Sequence, residues 1–336
     1  MIIYNRNITV HGRDEINHMG RNIMHQSVLS YGEFVTYIRE NVESVLADDR
    51  ETEVVLSEIA KNNGVMSEIM TIQREGENAA PVFYMRDIYE QYLRGAAADD
   101  LIDQIIVICR QCNVYTLPVT GEWFEAFENI SDHIILRVVN YEKNRQKLEH
   151  CPFIRKLDLA LTFRILVEEE SSQIGTVLIS DDLMRRWKVT ASDLYKLAVA
   201  NMQRLWEGVV EPVQDMIFEM ADDQMAEEYG VFLEENEGAR EMPLYVLTNA
   251  IRLNGASVLF YTDCLKSFAD SVGRDIFVLP SSIHEVLLIP VDEDVSAWDM
   301  RQVVETVNHQ IVSDEEILSN HVYRYLYDSH KLIIAA

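Results

Sequence analysis

Residues 255–290 read GASVLFYTDCLKSFADSVGRDIFVLPSSIHEVLLIP, and along them the apolar spacing switches from a helical to a strand-like period. Tyr261, Cys264, Leu265, Phe268, Ala269 and Val272 fall on one helical face, and Gly273 stands where a left-handed C-terminal cap belongs. DIFVLP and EVLLIP then read as two strands joined by a polar, serine-rich turn. A helix feeding a closely spaced strand pair, without strict strand–helix alternation, predicts α+β packing rather than a doubly wound sheet.

The flanking sequence obeys the same rules. Upstream, YVLTN (245–249) reads as a strand. Thr190 with Asp193 caps a helix through Leu194, Leu197, Ala198 and Leu205, with Asn201 on or beside its buried stripe. IILRVVN (134–140) and LDLALTFRILVEE are strands, Asp99 to Cys112 is a strongly apolar helix, and Tyr84, Tyr89 and Tyr92 accompany a short helix ending near Gly95. TEVVLSEI, the turn KNNG and VMSEIMTI form a hairpin in which Asn63-Gly64 supplies the positive φ angles of a tight turn. Ser30 with Glu33 caps a helix whose stripe is Phe34, Tyr37, Ile38, Val42 and Val45. Downstream, Ser296 with Asp299 caps a helix bearing Met300, Val303, Val304, Val307 and Ile311, and Ser313 with Glu316 predicts a further cap. VYRYLYD and KLIIA close the chain as an edge hairpin. The expected fold is α+β, with mixed or antiparallel sheets and packed helices in two lobes. Residues 1–28 form an extension, residues 29–150 an N-terminal α+β domain and residues 151–336 a C-terminal one, cut near HCPF, where a charged helix gives way to a fresh strand.

Composition limits the partners. A chain of 336 residues has length for two domains, and 48% hydrophobic with 25% charged residues is the mixture of a globular protein. The balance is unusual: 29 Lys+Arg against 56 Asp+Glu leave a formal net charge of −27, which repels phosphate backbones and anionic lipid surfaces. Direct nucleic-acid binding is therefore disfavoured, and a partner with a basic surface suits the field better. MIIYNRNITVHGRDE turns polar after three apolar residues, and LIDQIIVIC is far shorter than the roughly 20 residues that cross a bilayer, so no membrane segment is expected. The four cysteines, Cys109, Cys112, Cys151 and Cys264, are sparse, as where thiols stay reduced, and the expected compartment is the cytoplasm.

KNNG with its following strand, PVFYMRDIYEQYLRG, LTFRILV, YVLTN, GASVLFY and VLPSSIHEVLLIP together resemble an uncharacterised domain-of-unknown-function family of gut anaerobic Firmicutes. The resemblance covers roughly residues 30 to 336, leaving the first 28 outside it. It implies no activity, so it carries no catalytic role to any residue.

Each chemical motif competes with a plainer reading. Cys109-Arg-Gln-Cys112 is the only CxxC, but it ends an apolar helix, where the helix dipole opposes a thiolate. Zinc would need His150 and Cys151 as further ligands, and that second pair is adjacent rather than spaced by two; buried thiols are the plainer reading. His11, His18 and His25 recur every seven residues, too far apart for two to share an ion, so a polar tail is the default. Ser281, Ser282, His284 and Glu285 bring hydroxyls, an imidazole and a carboxylate to one turn. Neighbours on a strand face opposite ways, so His284 and Glu285 are not expected to pair, and a turn whose hydroxyls satisfy its backbone is the simpler account. From Glu207 to Glu241 acids outnumber bases twelve to one, with Arg240 the lone cation. Val213, Met216, Ile217 and Met220 lie on one helical face there, followed by Met225 and Met242. A thioether surface ringed by carboxylates suits a basic amphipathic peptide, whereas a core-facing helix with a solvated acidic back is the plainer alternative. Phosphate loops, HExxH and an EF-hand loop are absent from the sequence.

These readings favour a cytoplasmic, non-enzymatic protein-binding module. It would use the acidic segment, through Met216, Met220 and Met225, or the turn, through Ser281, Ser282, His284 and Glu285, as a binding rim. No cofactor and no metal is expected. The rival expectation is a hydrolase or transferase whose site gathers scattered acidic and polar groups, with Asn249, Asn254, His284 and Glu285 near the C-terminal strand ends. A third, that the charge imitates DNA, requires carboxylates in regularly spaced rows.

Overall fold

A computed structural model describes residues 2–5, 28–47, 52–74, 79–111, 121–170, 173–220, 243–280, 282–292 and 295–336. The fold is mixed α+β, and among the described residues three sheets form, antiparallel except for one parallel strand pair. Two compact units form: residues 1–61 with 66–120, and residues 62–65 with 121–336.

In the first unit, β1 (Ile2–Asn5), β2 (Thr52–Ala60), β3 (Met66–Arg74) and β4 (Ala79–Tyr84) are ordered β1-β4-β3-β2, with β1 parallel to β4. The Tyr31–Leu46 helix starts where predicted, the Ser30 backbone N–H and hydroxyl donating to the Glu33 carboxylate at 2.9 and 2.6 Å. Its buried stripe is Phe34, Val35, Ile38, Val42 and Leu46. Tyr37 and Val45, expected on that stripe, are exposed: the stripe is centred on Ile38 and Val42, which puts Tyr37 beyond its edge, where its hydroxyl donates to Asp99 at 2.8 Å. Tyr92 stacks on Phe34 at 4.8 Å and accepts a hydrogen bond from Leu29 N, while the Tyr89 hydroxyl donates to Leu29 O. The aromatic pair so fixes the direction in which the chain enters the helix.

The second unit holds two sheets. One joins β5 (Ile134–Asn140), β7 (Leu159–Glu170) and β6 (Phe153–Lys156) in the order β5-β7-β6, with β8 (Gln173–Leu178) also on β7. The other has six strands in the order β14-β13-β11-β12-β10-β9: β9 (Gly208–Pro212), β10 (Tyr245–Asn249), β11 (Ile276–Leu279), β12 (Val286–Pro290), β13 (Tyr323–Leu326) and β14 (Lys331–Ile334). The Ala191–Leu205 helix packs on β5, burying Leu194, Ala198 and Met202. Its Asn201 is buried too, but its amide donates to Ser131 O and Ile134 O at 2.8 and 2.9 Å, so burial leaves it satisfied.

Two sequence expectations in this unit need correction. The helical face assigned to Tyr261 onward begins only at Cys264, because residues 255–260 form a 3₁₀ turn and the α-helix is Cys264–Val272, closed by Gly273 at φ 70°. The Thr262 hydroxyl accepts from Cys264 N at 3.2 Å and starts that helix, while Tyr261 remains outside it and donates to Trp206 O. Ser313 with Glu316 caps no helix. A single turn forms, Glu316 N donating to Ser313 O at 2.8 Å, and the carbonyls beyond are taken by side-chain amides. Asn63 reaches Asp314 O and Ile317 O, Asn62 reaches Glu315 O, Asn140 reaches Leu318 O and Asn308 reaches Ser319 O, all at 2.7 to 3.0 Å. A helix would need those same acceptors for its own amides.

Candidate functional site

The groups flagged near the strand ends meet around the turn between β11 and β12. Ser282 is buried; its Oγ accepts from His284 N at 2.9 Å and donates to Glu285 Oε1 at 2.6 Å. Ile283 N donates to Glu316 O at 3.0 Å, tying the turn to the segment that carries Glu316. Asn249, fully buried at the end of β10, uses its side chain on Leu253, donating to Leu253 O and accepting from Leu253 N. That closes a loop in which Arg252 and Asn254 take left-handed backbone, and it delivers Asn254 N to His284 Nδ1 at 3.3 Å. Gly255 follows because nothing larger fits: a Cβ there would lie 2.1 Å from Thr248 Oγ1 and 2.3 Å from His284 O. The Thr248 hydroxyl donates to that same His284 carbonyl at 2.8 Å.

His284 finds its carboxylate in Glu316, with Nε2 3.5 Å from Glu316 Oε1. Glu285, its neighbour in sequence, takes the Ser282 hydroxyl instead, as opposite-pointing strand neighbours should. The Glu316 carboxyl is held below the ordinary glutamate range, first by the hydrogen bond from His284, then by one from Ser313 and by the charges of His284 and Arg137, against the upward push of burial. Sequence reasoning missed Glu316 and Arg137 as members of this site. No local signal marks either one, since each arrives from a distant segment.

The arrangement is chemically self-contained. The Ser282 proton is directed to Glu285, and among the described residues no histidine ring nitrogen hydrogen-bonds the hydroxyl. With Asn254 N–H on Nδ1, the imidazole carries its proton on Nε2 toward Glu316, so neither ring nitrogen offers a free lone pair. A nucleophile with its base is therefore not assembled here.

Other flagged residues have different surroundings. Met216 is half-buried in the Val213–Met220 helix, which Met220 ends. Met225, Met242, Ser281, Cys112, His11, His18 and His25 lie outside the described residues. Cys109 is buried at the end of the Ala98–Gln111 helix, and its carbonyl accepts from Arg74 Nη2 at 2.9 Å. The buried Cys151 thiol donates to Lys147 O, while His150 is exposed and its carbonyl accepts from Asp181 N. Among the described residues no group of three or more His, Cys, Asp or Glu gathers as metal ligands, and no helix is long and apolar enough to cross a membrane.

A family of unknown function, DUF5688, matches residues 31–327. The chain belongs to that family. The matched span includes the segments from KNNG to VLPSSIHEVLLIP; the gut Firmicutes origin is no part of the match. No curated protein and no solved structure matches the chain.

Proposed function

We propose that this protein is a non-enzymatic recognition module that holds a basic, extended segment of another protein along β9 and the acidic stretch that begins there. The observation that carries the reading is the position of β9: it is an outer strand of the six-stranded sheet, and it opens the Glu207–Glu241 stretch with twelve acids against Arg240. Ala250 N donates to Glu207 O and Val213 N to Leu244 O. With the β9–β10 register, those bonds turn residues 207, 209, 211 and 213 toward β10 and residues 208, 210 and 212 outward. Among the described residues no strand pairs with that outer edge. Pro212 falls on an outward position, where its missing N–H costs the sheet nothing. The Gly208 and Val210 backbones remain as a short template for strand addition, and the acidic composition of the stretch that β9 opens favours a cationic guest. The closed hydrogen bonding around His284 argues for recognition over the hydrolase or transferase alternative.

Fluorescence anisotropy with a labelled peptide of alternating Lys and Val tests the reading. Val210→Pro removes an outward N–H and leaves the β9–β10 bonds in place. We expect salt-sensitive binding to the full chain, weakened at least about tenfold by Val210→Pro with unchanged circular dichroism. Absence of binding to the unaltered protein, or equal binding by the variant, overturns it.

A further inference from the structure

We infer that the face of the β5–β7 sheet bearing Arg137 and Arg164, together with Lys147, is a binding site for a compact phosphate dianion, free or as a monoester. Register builds the site. Arg137 pairs with Thr162 and Ile135 with Arg164, so the two arginines are diagonal neighbours on one face, about 7–8 Å apart at the backbone and within reach of each other's long side chains. That face holds Ile135, Arg137 and Val139 on β5 and Ala160, Thr162, Arg164 and Leu166 on β7, with no acid among them. Lys147 comes from the Arg145–Leu148 helix, whose Leu148 packs with Val139, Cys151 and Ala160 on the same face.

The charges in this cluster are unbalanced in a way that an anion would correct. The hydrogen bond that Arg164 makes is from Nε to Thr176 Oγ1 at 2.7 Å, and it leaves both terminal nitrogens of the guanidinium. Among the described residues no carboxylate forms an ion pair with Arg164 or Lys147. Two acids lie near, and neither pairs with Arg164 or Lys147: Glu316 faces His284 and Arg137, and the Asp181 carboxylate adds to burial in pushing the Cys151 thiol up. Burial first, and then the Arg137 charge, push Arg164 down to about 9. Lys147 is also held below its ordinary value, by burial and then by Arg164 and Arg137, although the residue as a whole is exposed. That exposure makes Lys147 the solvent-facing rim and Arg164 the floor. The net charge of −27 does not forbid such a site, because screening in physiological salt confines each charge to about 8 Å. A planar guanidinium with free terminal donors beside an ammonium is the pairing that grips tetrahedral oxyanions.

Isothermal titration calorimetry of the full chain with inorganic phosphate in one arm and phenyl phosphate in the other, against matched chloride, tests the site. Saturable binding in either arm supports it; both arms binding marks recognition of a terminal phosphoryl group, and phosphate alone marks a site closed to esters. Arg164→Gln and Lys147→Gln should each weaken binding about tenfold or more, while Arg301→Gln, on the remote Ala297–Gln310 helix, should not. Lys147 is exposed, so its variant keeps the test decisive if Arg164→Gln does not fold. No heat beyond the chloride control in both arms, or phosphate binding unchanged in Lys147→Gln, overturns the inference.

Discussion

The turn around His284 and the basic face around Arg164 belong to the same unit and draw on the same chemical alphabet, yet they solve opposite problems. At the turn the described polar groups meet partners from within the chain: Ser282 with Glu285, His284 with Asn254 and Glu316, Thr248 with the His284 carbonyl. On the basic face Arg164 and Lys147 lack a carboxylate among the described residues, and burial with the nearby Arg137 charge pushes both toward their uncharged forms, Arg164 adding to the push on Lys147. A reactive-looking cluster in sequence thus becomes scaffold, while two unremarkable cations become the place where something else is called for. What separates them is whether the partner is supplied by the fold.

That contrast predicts opposite signs for substitutions. The largest effect should come from Gly255→Ala, whose methyl has no room beside Thr248 Oγ1 and the His284 carbonyl; we expect a loss of about 3 kcal/mol in urea unfolding. Ser282→Ala strands the Glu285 carboxylate and the His284 N–H together, and should cost about 1–3 kcal/mol by the same measurement. A cost below a few tenths would dissolve the distinction between the two regions. Next in size is a pH effect. Because the folded Glu316 carboxyl sits below its unfolded value, its contribution is complete above the unfolded value and is lost as pH falls through the folded one. Between about pH 5 and pH 3 the urea midpoint of the unaltered chain should therefore fall further than that of Glu316→Gln. Glu33 and Asp193, also held low by their capping hydroxyls, are common to both proteins and cancel in the difference. The smallest effect belongs to the basic face: Lys147→Met, measured without phosphate, should leave stability unchanged or slightly higher, within about 0.5 kcal/mol. A clear destabilisation would mean that the fold depends on that cation after all.

How much of this was legible beforehand follows the reach of each interaction. Ser30 with Glu33, Thr190 with Asp193 and Ser296 with Trp298 and Asp299 close within three residues, and all three helix starts form as read. Asn63 and Gly64 take the positive φ angles their dipeptide announced, and Gly273 caps its helix in left-handed backbone. Ser313 with Glu316 carries the same local signal and fails, because amides from Asn62, Asn63 and Asn140 reach those carbonyls from far along the chain. The candidate site divides the same way. Ser282, His284 and Glu285 were adjacent in sequence and visible, whereas the Glu316 that completes the cluster was not.

The order of residues alone was enough to specify α+β packing, most helix starts, the hairpin turns and the acidic character, since each depends on neighbours a few positions apart or on composition. Which carboxylate meets His284, and that Arg137, Arg164 and Lys147 share one neighbourhood, became definite only once the strands were in register. Register is set by burying whole apolar faces at once, so it brings together residues whose own side chains had no say in the choice.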